Sequence, residues 1–173
     1  MRFHGVIPTM LLLTAVVAGC SSASVAPTAP TTLPAPPDLP ERQALAAYEN
    51  FWTVTDAAYA APKSRDWIPR LREVATGQAL ETARADVENY AGFPAHSVGA
   101  ITRSPSLGQV SDQRIEILDC VDLGDSRLVS DTTGDVLDDL ENRVPRYRFR
   151  AELAKVEDRW LVERTVPLMG EPC

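Results

Sequence analysis

The chain has 173 residues, enough for one domain with accessory segments and too few for two full domains. Hydrophobic residues make up 45% and charged residues 24%, a globular composition that excludes wholesale disorder, and the formal charge of -7 excludes a strongly basic nucleic-acid binder. Two His and three Cys, one of each within the first twenty residues, exclude most multi-His or multi-Cys metal sites, so no metal and no cofactor is expected.

Residues 1–19 have the pattern of an export signal. Arg2 precedes an uncharged apolar run, residues 5–19, that is too short to span a bilayer as a helix and ends in small residues. Val17-Ala18-Gly19-Cys20 resembles the lipobox of bacterial lipoproteins. Small residues let a signal peptidase reach the bond before Cys20, and the Cys20 thiol supplies the nucleophile for lipid attachment. Residues 1–19 are therefore expected to be a lipoprotein signal peptide, with Cys20 anchoring an extracytoplasmic protein to the outer face of the cell membrane. Acyl chains contribute about 0.8 kcal/mol per buried methylene, so two or three suffice for firm anchoring. The stretch 20–40 carries six prolines, several Ser and Thr, and a single charge at Asp38. That composition suits a spacer, not a core.

The folded part is expected over 41–173, with helices first. Ala44, Tyr48, Phe51, Trp52, Thr55 and Tyr59 recur at spacings of three and four, predicting a helix over 41–61 bounded by Pro40 and Pro62. A short helix over 66–75 follows, with Asp66 as its cap, and a third over 78–91 stopped by Gly92 and Pro94. Beyond Pro94 the period falls to two. Strands are predicted over 97–103, 114–123, 127–130, 146–155 and 159–167. Gly124-Asp125 is expected to join the second and third as a hairpin, Thr133-Gly134 to turn the chain, and Glu157-Asp158 to join the last two.

This order predicts an α+β domain with the helices on one face of an antiparallel sheet. It resembles the nuclear-transport-factor-2-like, or SnoaL-like, superfamily, and in particular actinobacterial lipoproteins with that domain. The resemblance rests on QALAAYENFW (43–52), VATGQAL (74–80), DCVD (119–122), DRWLVE (158–163) and the Cys at the chain end. It implies a cone whose long first helix lies in a curved sheet. The superfamily holds enzymes, binding domains and interaction modules, so the fold does not assign a function.

With Cys20 acylated, Cys120 and Cys173 remain as an even pair outside the cytoplasm and are expected to form a disulfide. A redox role is disfavoured by the lack of Cys-x-x-Cys and of any basic group obviously adjacent. His96 is expected to pack at the surface. The acidic run Asp131, Asp135, Asp138, Asp139 and Glu141 lacks the spacing of a calcium loop and reads as a solvated turn. Arg146, Arg148 and Arg150 form a ladder expected to pair with acids on neighbouring strands. The candidate cleft comprises Tyr48, Trp52, Tyr59 and Asp119, the residue types of a ketosteroid-isomerase-like site, but aromatics at helical spacing are more often core. A mostly filled cone is expected, with at most a shallow cleft near Tyr48, Trp52 and Tyr59, and no catalytic residue is assigned. The leading expectation is a non-catalytic module that binds an envelope protein or a small apolar ligand. A SnoaL-like isomerase, hydratase or cyclase is the alternative from another class, and a phage-encoded lipoprotein that excludes superinfection is the third.

Overall fold

A computed structural model describes residues 39–173. The expectations for the signal segment, Cys20 and the spacer up to Asp38 lie outside the described residues. Helix α1 spans Pro40–Ala60, α2 Ile68–Val74 and α3 Gly77–Gly92. Pro40 occupies the first turn of α1, where its missing N–H costs nothing. The buried stripe Ala44, Tyr48, Phe51, Val54, Thr55 and Ala58 follows the helical period. Asp66 acts at the start of α2, its carboxylate accepting the Ile68 N–H at 3.0 Å.

Seven strands follow: β1 Ala95–Val98, β2 Thr102–Arg103, β3 Ser106–Val110, β4 Arg114–Asp122, β5 Arg127–Ser130, β6 Arg146–Val156 and β7 Arg159–Leu168. The main sheet is antiparallel, in the order β2-β4-β6-β7, with β3 also paired to β4. It curls strongly around the helices, giving the expected α+β cone. Alternation sets its two faces. Ile115, Ile117, Asp119 and Val121 of β4, with Tyr147, Phe149, Ala151 and Leu153 of β6, point inward and are buried. Glu116, Leu118 and Cys120, with Arg146, Arg148 and Arg150, occupy the outer face. The β6–β7 turn is the expected one. Glu157 and Asp158 both take positive φ, 47° and 62°, as a two-residue hairpin requires.

Two strand assignments need correction. The expected strand over 97–103 is broken at Gly99 into β1 and β2. Gly99 has φ +81°, and a Cβ there would lie 1.9 Å from the Asp125 carbonyl oxygen. The backbone bends sharply against that turn, and the two halves join different sheets. The segment 127–130 is β5, as expected, but it pairs with β1 and not with β4. Gly124-Asp125 therefore turns the chain out of the main sheet. Ser126 N–H donates to the Leu123 carbonyl at 2.9 Å, and the Asp122 carboxylate takes the Gly124 N–H at 2.7 Å. The place beside β4 falls to β6, whose nine registered pairs bury a longer apolar face. Strand β3, Ser-Leu-Gly-Gln-Val, carries no clear alternation and was not anticipated.

The β7 edge is covered by the helical layer. Thr76 N–H donates to the Val162 carbonyl at 2.8 Å, and the Gln78 side-chain carbonyl accepts the Thr165 N–H at 2.8 Å. Gly77, between them, has φ +52° and sits against Glu163. These bonds fix where α3 meets the sheet, and with it one wall of the interior.

Candidate functional site

The expected disulfide is present. Cys120 and Cys173 are bonded, with Cα atoms 5.8 Å apart. The bridge lies on the outer sheet face, behind the cone interior. The tail is also held by Arg148 N–H, which donates to the Glu171 carbonyl at 2.9 Å.

The expected cleft residues divide between two places. Asp119 points inward from β4 and is 3% exposed. Its carboxylate accepts the Tyr48 hydroxyl at 2.7 Å and the Ser104 N–H at 2.6 Å. Both carboxylate oxygens are thus engaged, and the pair ties α1 to the sheet and to the segment after β2. Burial pushes the Tyr48 hydroxyl well above its ordinary pKa, and the neighbouring Asp119 pushes it further. The hydroxyl is held as a proton donor, with no role open to it as a base.

Trp52 and Tyr59 face a separate cavity of about 350 Å³ between α1, α3 and the open end of the sheet. The expectation of a filled cone needs correction here. Ala79 and Ala83 of α3 stand opposite the aromatics of α1, and side chains this small leave space that Phe51, Phe149 and Tyr147 do not fill. The volume lies at the lower end of the ~300–1,000 Å³ range of small-molecule sites. Asp119 and Tyr48 do not line it.

Most charged groups on the cavity wall are engaged with one another, while Trp52 Nε1 and Arg103 Nε are buried without a hydrogen-bond partner. Arg103 forms a two-pronged ion pair with Asp56, at 2.7 and 2.9 Å, and its guanidinium lies 4.1 Å from the centre of the Trp52 ring. The cation–π contact and the ion pair together couple Trp52 to Asp56 through Arg103. The Tyr59 hydroxyl donates to Asp86 at 2.9 Å, and its ring meets Tyr90 edge-on at 5.4 Å. Burial raises the Tyr59 hydroxyl pKa, and Asp86 adds to it. At the mouth, Asp138 accepts the Leu128 N–H at 2.6 Å and stands 3.5 Å from Arg143, which donates to the Ser126 and Leu123 carbonyls at 3.0 Å each. Asp138, expected in a solvated acidic turn, is half-buried and braces this loop.

The remaining sequence candidates sit elsewhere. His96 meets Asp131 at 2.6 Å on the surface near Lys63. Among the described residues no cluster of three or more His, Cys, Asp or Glu is placed to hold a metal. In the arginine ladder only Arg150 approaches an acid among the described residues, Glu116 at 3.9 Å. Arg146 directs its Nε to Cys120 Sγ at 3.1 Å, and Arg148 turns to the Pro172 carbonyl at 3.5 Å. The tail strapped across β4 and β6 replaces the expected acidic partners. Arg103, Asp86 and Ala83 were missed by sequence reasoning. Arg103 sits on a two-residue strand, and only the small face of α3 signalled the space beside it.

No protein-family model matches the chain, nor does any curated protein. Solved structures do. The intermembrane space region of the chloroplast protein ARC6 is 18% identical, with a TM-score of 0.57 over 76% of this chain and 98% of that one. Kfla4162 from Kribbella flavida is 14% identical, with a TM-score of 0.46 over 72% and 88% of the two chains. An NTF-2-like protein of unknown function from Shewanella oneidensis is 11% identical, with a TM-score of 0.41 over 71% and 97%. At these identities the likeness is one of fold. The described residues form an α+β cone, and the fold is shared with the ARC6 region.

Proposed function

We propose that the chain is a lipid-anchored protein of the cell envelope whose cone is a non-catalytic binding module for a small, largely apolar molecule. The observation that carries the binding role is the cavity of about 350 Å³, walled by Phe51, Trp52, Tyr59, Ile101, Tyr147 and Phe149. Its chemistry favours binding over turnover. The carboxylates of Asp56, Asp86 and Asp138 and the guanidinium of Arg143 are held in pairs or against backbone groups, which leaves aromatic faces with the Trp52 Nε1 and Arg103 Nε donors as the contact surface. An uncharged ligand would bury its apolar area there without breaking an ion pair. Asp119, the one buried acid among the described residues, is engaged outside this cavity.

The test is saturable binding of a neutral apolar fluorophore, N-phenyl-1-naphthylamine, to the purified protein. One site per chain is expected. Thr82→Trp, at an exposed position on the cavity rim, should weaken binding at least tenfold with the fold intact by circular dichroism. Unsaturable binding, or equal affinity in the variant, would overturn the reading.

The anchor is tested separately. Val17–Cys20 carries it. Cys20→Ala should leave unprocessed precursor and move the mature-sized protein out of the membrane fraction, because the acyl chains supply the membrane affinity. Unchanged fractionation and processing would remove the lipobox assignment.

A further inference from the structure

We propose that the Cys120–Cys173 bridge is an exchange site for a dithiol reductant, and that its opening frees the C-terminal tail from the outer sheet face. Exposed disulfides with a cation beside one sulfur exchange faster than buried, uncharged ones. Three observations bear on this bridge. Cys173 is exposed. Cys120 is only partly buried, and Arg146 Nε lies 3.1 Å from its Sγ. Arg148 is the direct cross-strand neighbour of Cys120, and among the described residues no carboxylate stands within ion-pair distance of Arg146 or Arg148. Of the acids on this side, Asp122 lies two residues along β4 and binds the Gly124 N–H, and Glu171 is in the tail itself. Asp122 is also the cross-strand partner of Arg146, and the Cys173 α-carboxylate lies on the tail side of the bridge, so the cation in direct contact with a sulfur is Arg146 at Cys120.

The chemistry follows from that asymmetry. A thiolate of the reductant attacks Cys173 Sγ, and the bond between Cys120 and Cys173 breaks. Cys120 leaves as a thiolate against the Arg146 guanidinium, while Cys173 is joined to the reductant as a mixed disulfide. The second thiol of the reductant, on losing its proton, displaces Cys173, which takes up a proton. Two electrons pass to the protein, and the reductant becomes a disulfide. A leaving thiolate stabilised by a cation departs faster. The released tail then keeps only the Arg148–Glu171 backbone bond, the Glu171–Leu168 turn and the long Arg148–Pro172 contact. That the reductant works outside the cytoplasm rests on the envelope location proposed above; the exchange chemistry does not.

The experiment uses the full chain with Cys20→Ser, purified in detergent, so that a single thiol pair reports. The oxidised protein is mixed with millimolar dithiothreitol at pH 7 without denaturant. Acid-quenched samples are alkylated and counted by mass. Reduction should finish while the near-ultraviolet dichroism of the core persists, and carboxypeptidase should then trim the tail. Arg146→Gln should slow reduction about three- to tenfold, Arg146→Lys should keep most of the rate, and Arg164→Gln should have no effect. The proposal is overturned if reduction requires denaturant, or if Arg146→Gln is reduced as fast as the unchanged protein. Because no apolar ligand or membrane is involved, its failure would leave the cavity and the anchor standing, and the reverse also holds.

Discussion

Asp119→Ala is expected to destabilise the domain by about 2–4 kcal/mol, the largest effect of any single polar substitution in the interior. The carboxylate is 3% exposed and accepts two donors, the Tyr48 hydroxyl and the Ser104 N–H. Removing it leaves both donors facing an apolar space too cramped for full hydration. Each unpaired buried donor costs roughly 1–3 kcal/mol. Asp119→Asn should cost less, because its carbonyl still accepts the Ser104 N–H and the Tyr48 hydroxyl can turn to accept from the amide. Tyr48→Phe should be partly redundant with Asp119→Ala in a double-mutant cycle, since each removes the same bond. Urea unfolding of the four proteins measures this. A loss below about 0.5 kcal/mol for Asp119→Ala would mean that water reaches the pair. A reaction on an apolar substrate abolished by Asp119→Asn, with stability unchanged, would return Asp119 to the catalytic role its residue type first suggested.

The contrast between Asp119 and its neighbour shows what a sequence can reveal about this site. Alternation along Arg114–Leu123 places Ile115, Ile117 and Val121 inward, and Asp119 lies on that phase. A carboxylate inside is therefore legible, and Cys120 outside is legible with it. Its partners are not. Tyr48 lies 71 residues away, and the packing of α1 across the sheet, which no local pattern discloses, brings it to Asp119. The same limit applies to β5. Gly124-Asp125 has hairpin chemistry, but the pairing partner is chosen by competition for the β4 edge, and β6 offers more registered apolar residues than four-residue β5. The cavity is harder still. Its existence depends on Ala79 and Ala83 meeting Trp52 and Tyr59 across the interior, a juxtaposition set by the α3–β7 bonds at Thr76 and Gln78. A helical stripe of alanines reads equally well as close helix–sheet packing. Arg146 beside Cys120 is likewise a product of β4–β6 register, which no local pattern discloses.

Alkaline pH should unfold the domain more steeply than ordinary tyrosine chemistry would allow. Burial, reinforced by Asp119 at Tyr48 and by Asp86 at Tyr59, holds both hydroxyl pKa values in the folded chain above the value of ~10 expected when unfolded. Below pH ~10 both states keep these protons, and the full stability is present. Above it the unfolded chain releases them while the folded chain retains them, so protons bound favour the native state and stability falls as pH rises. A single such group contributes a slope of at most about 1.4 kcal/mol per pH unit until its folded hydroxyl itself ionises, and the two act in the same direction. Tyr90 and Tyr147, also raised by burial, act in the same direction. Urea unfolding followed from pH 8 to 11.5 should show the decline beginning near pH 10. Tyr59→Phe should flatten it by at most about 1.4 kcal/mol per unit, because phenylalanine has no proton to lose. Tyrosinate absorbance should rise together with unfolding and not before it. Early ionisation of the folded protein near pH 10, with a slope that Tyr59→Phe leaves unchanged, would show that these hydroxyls are hydrated and that the α1 face is open to solvent.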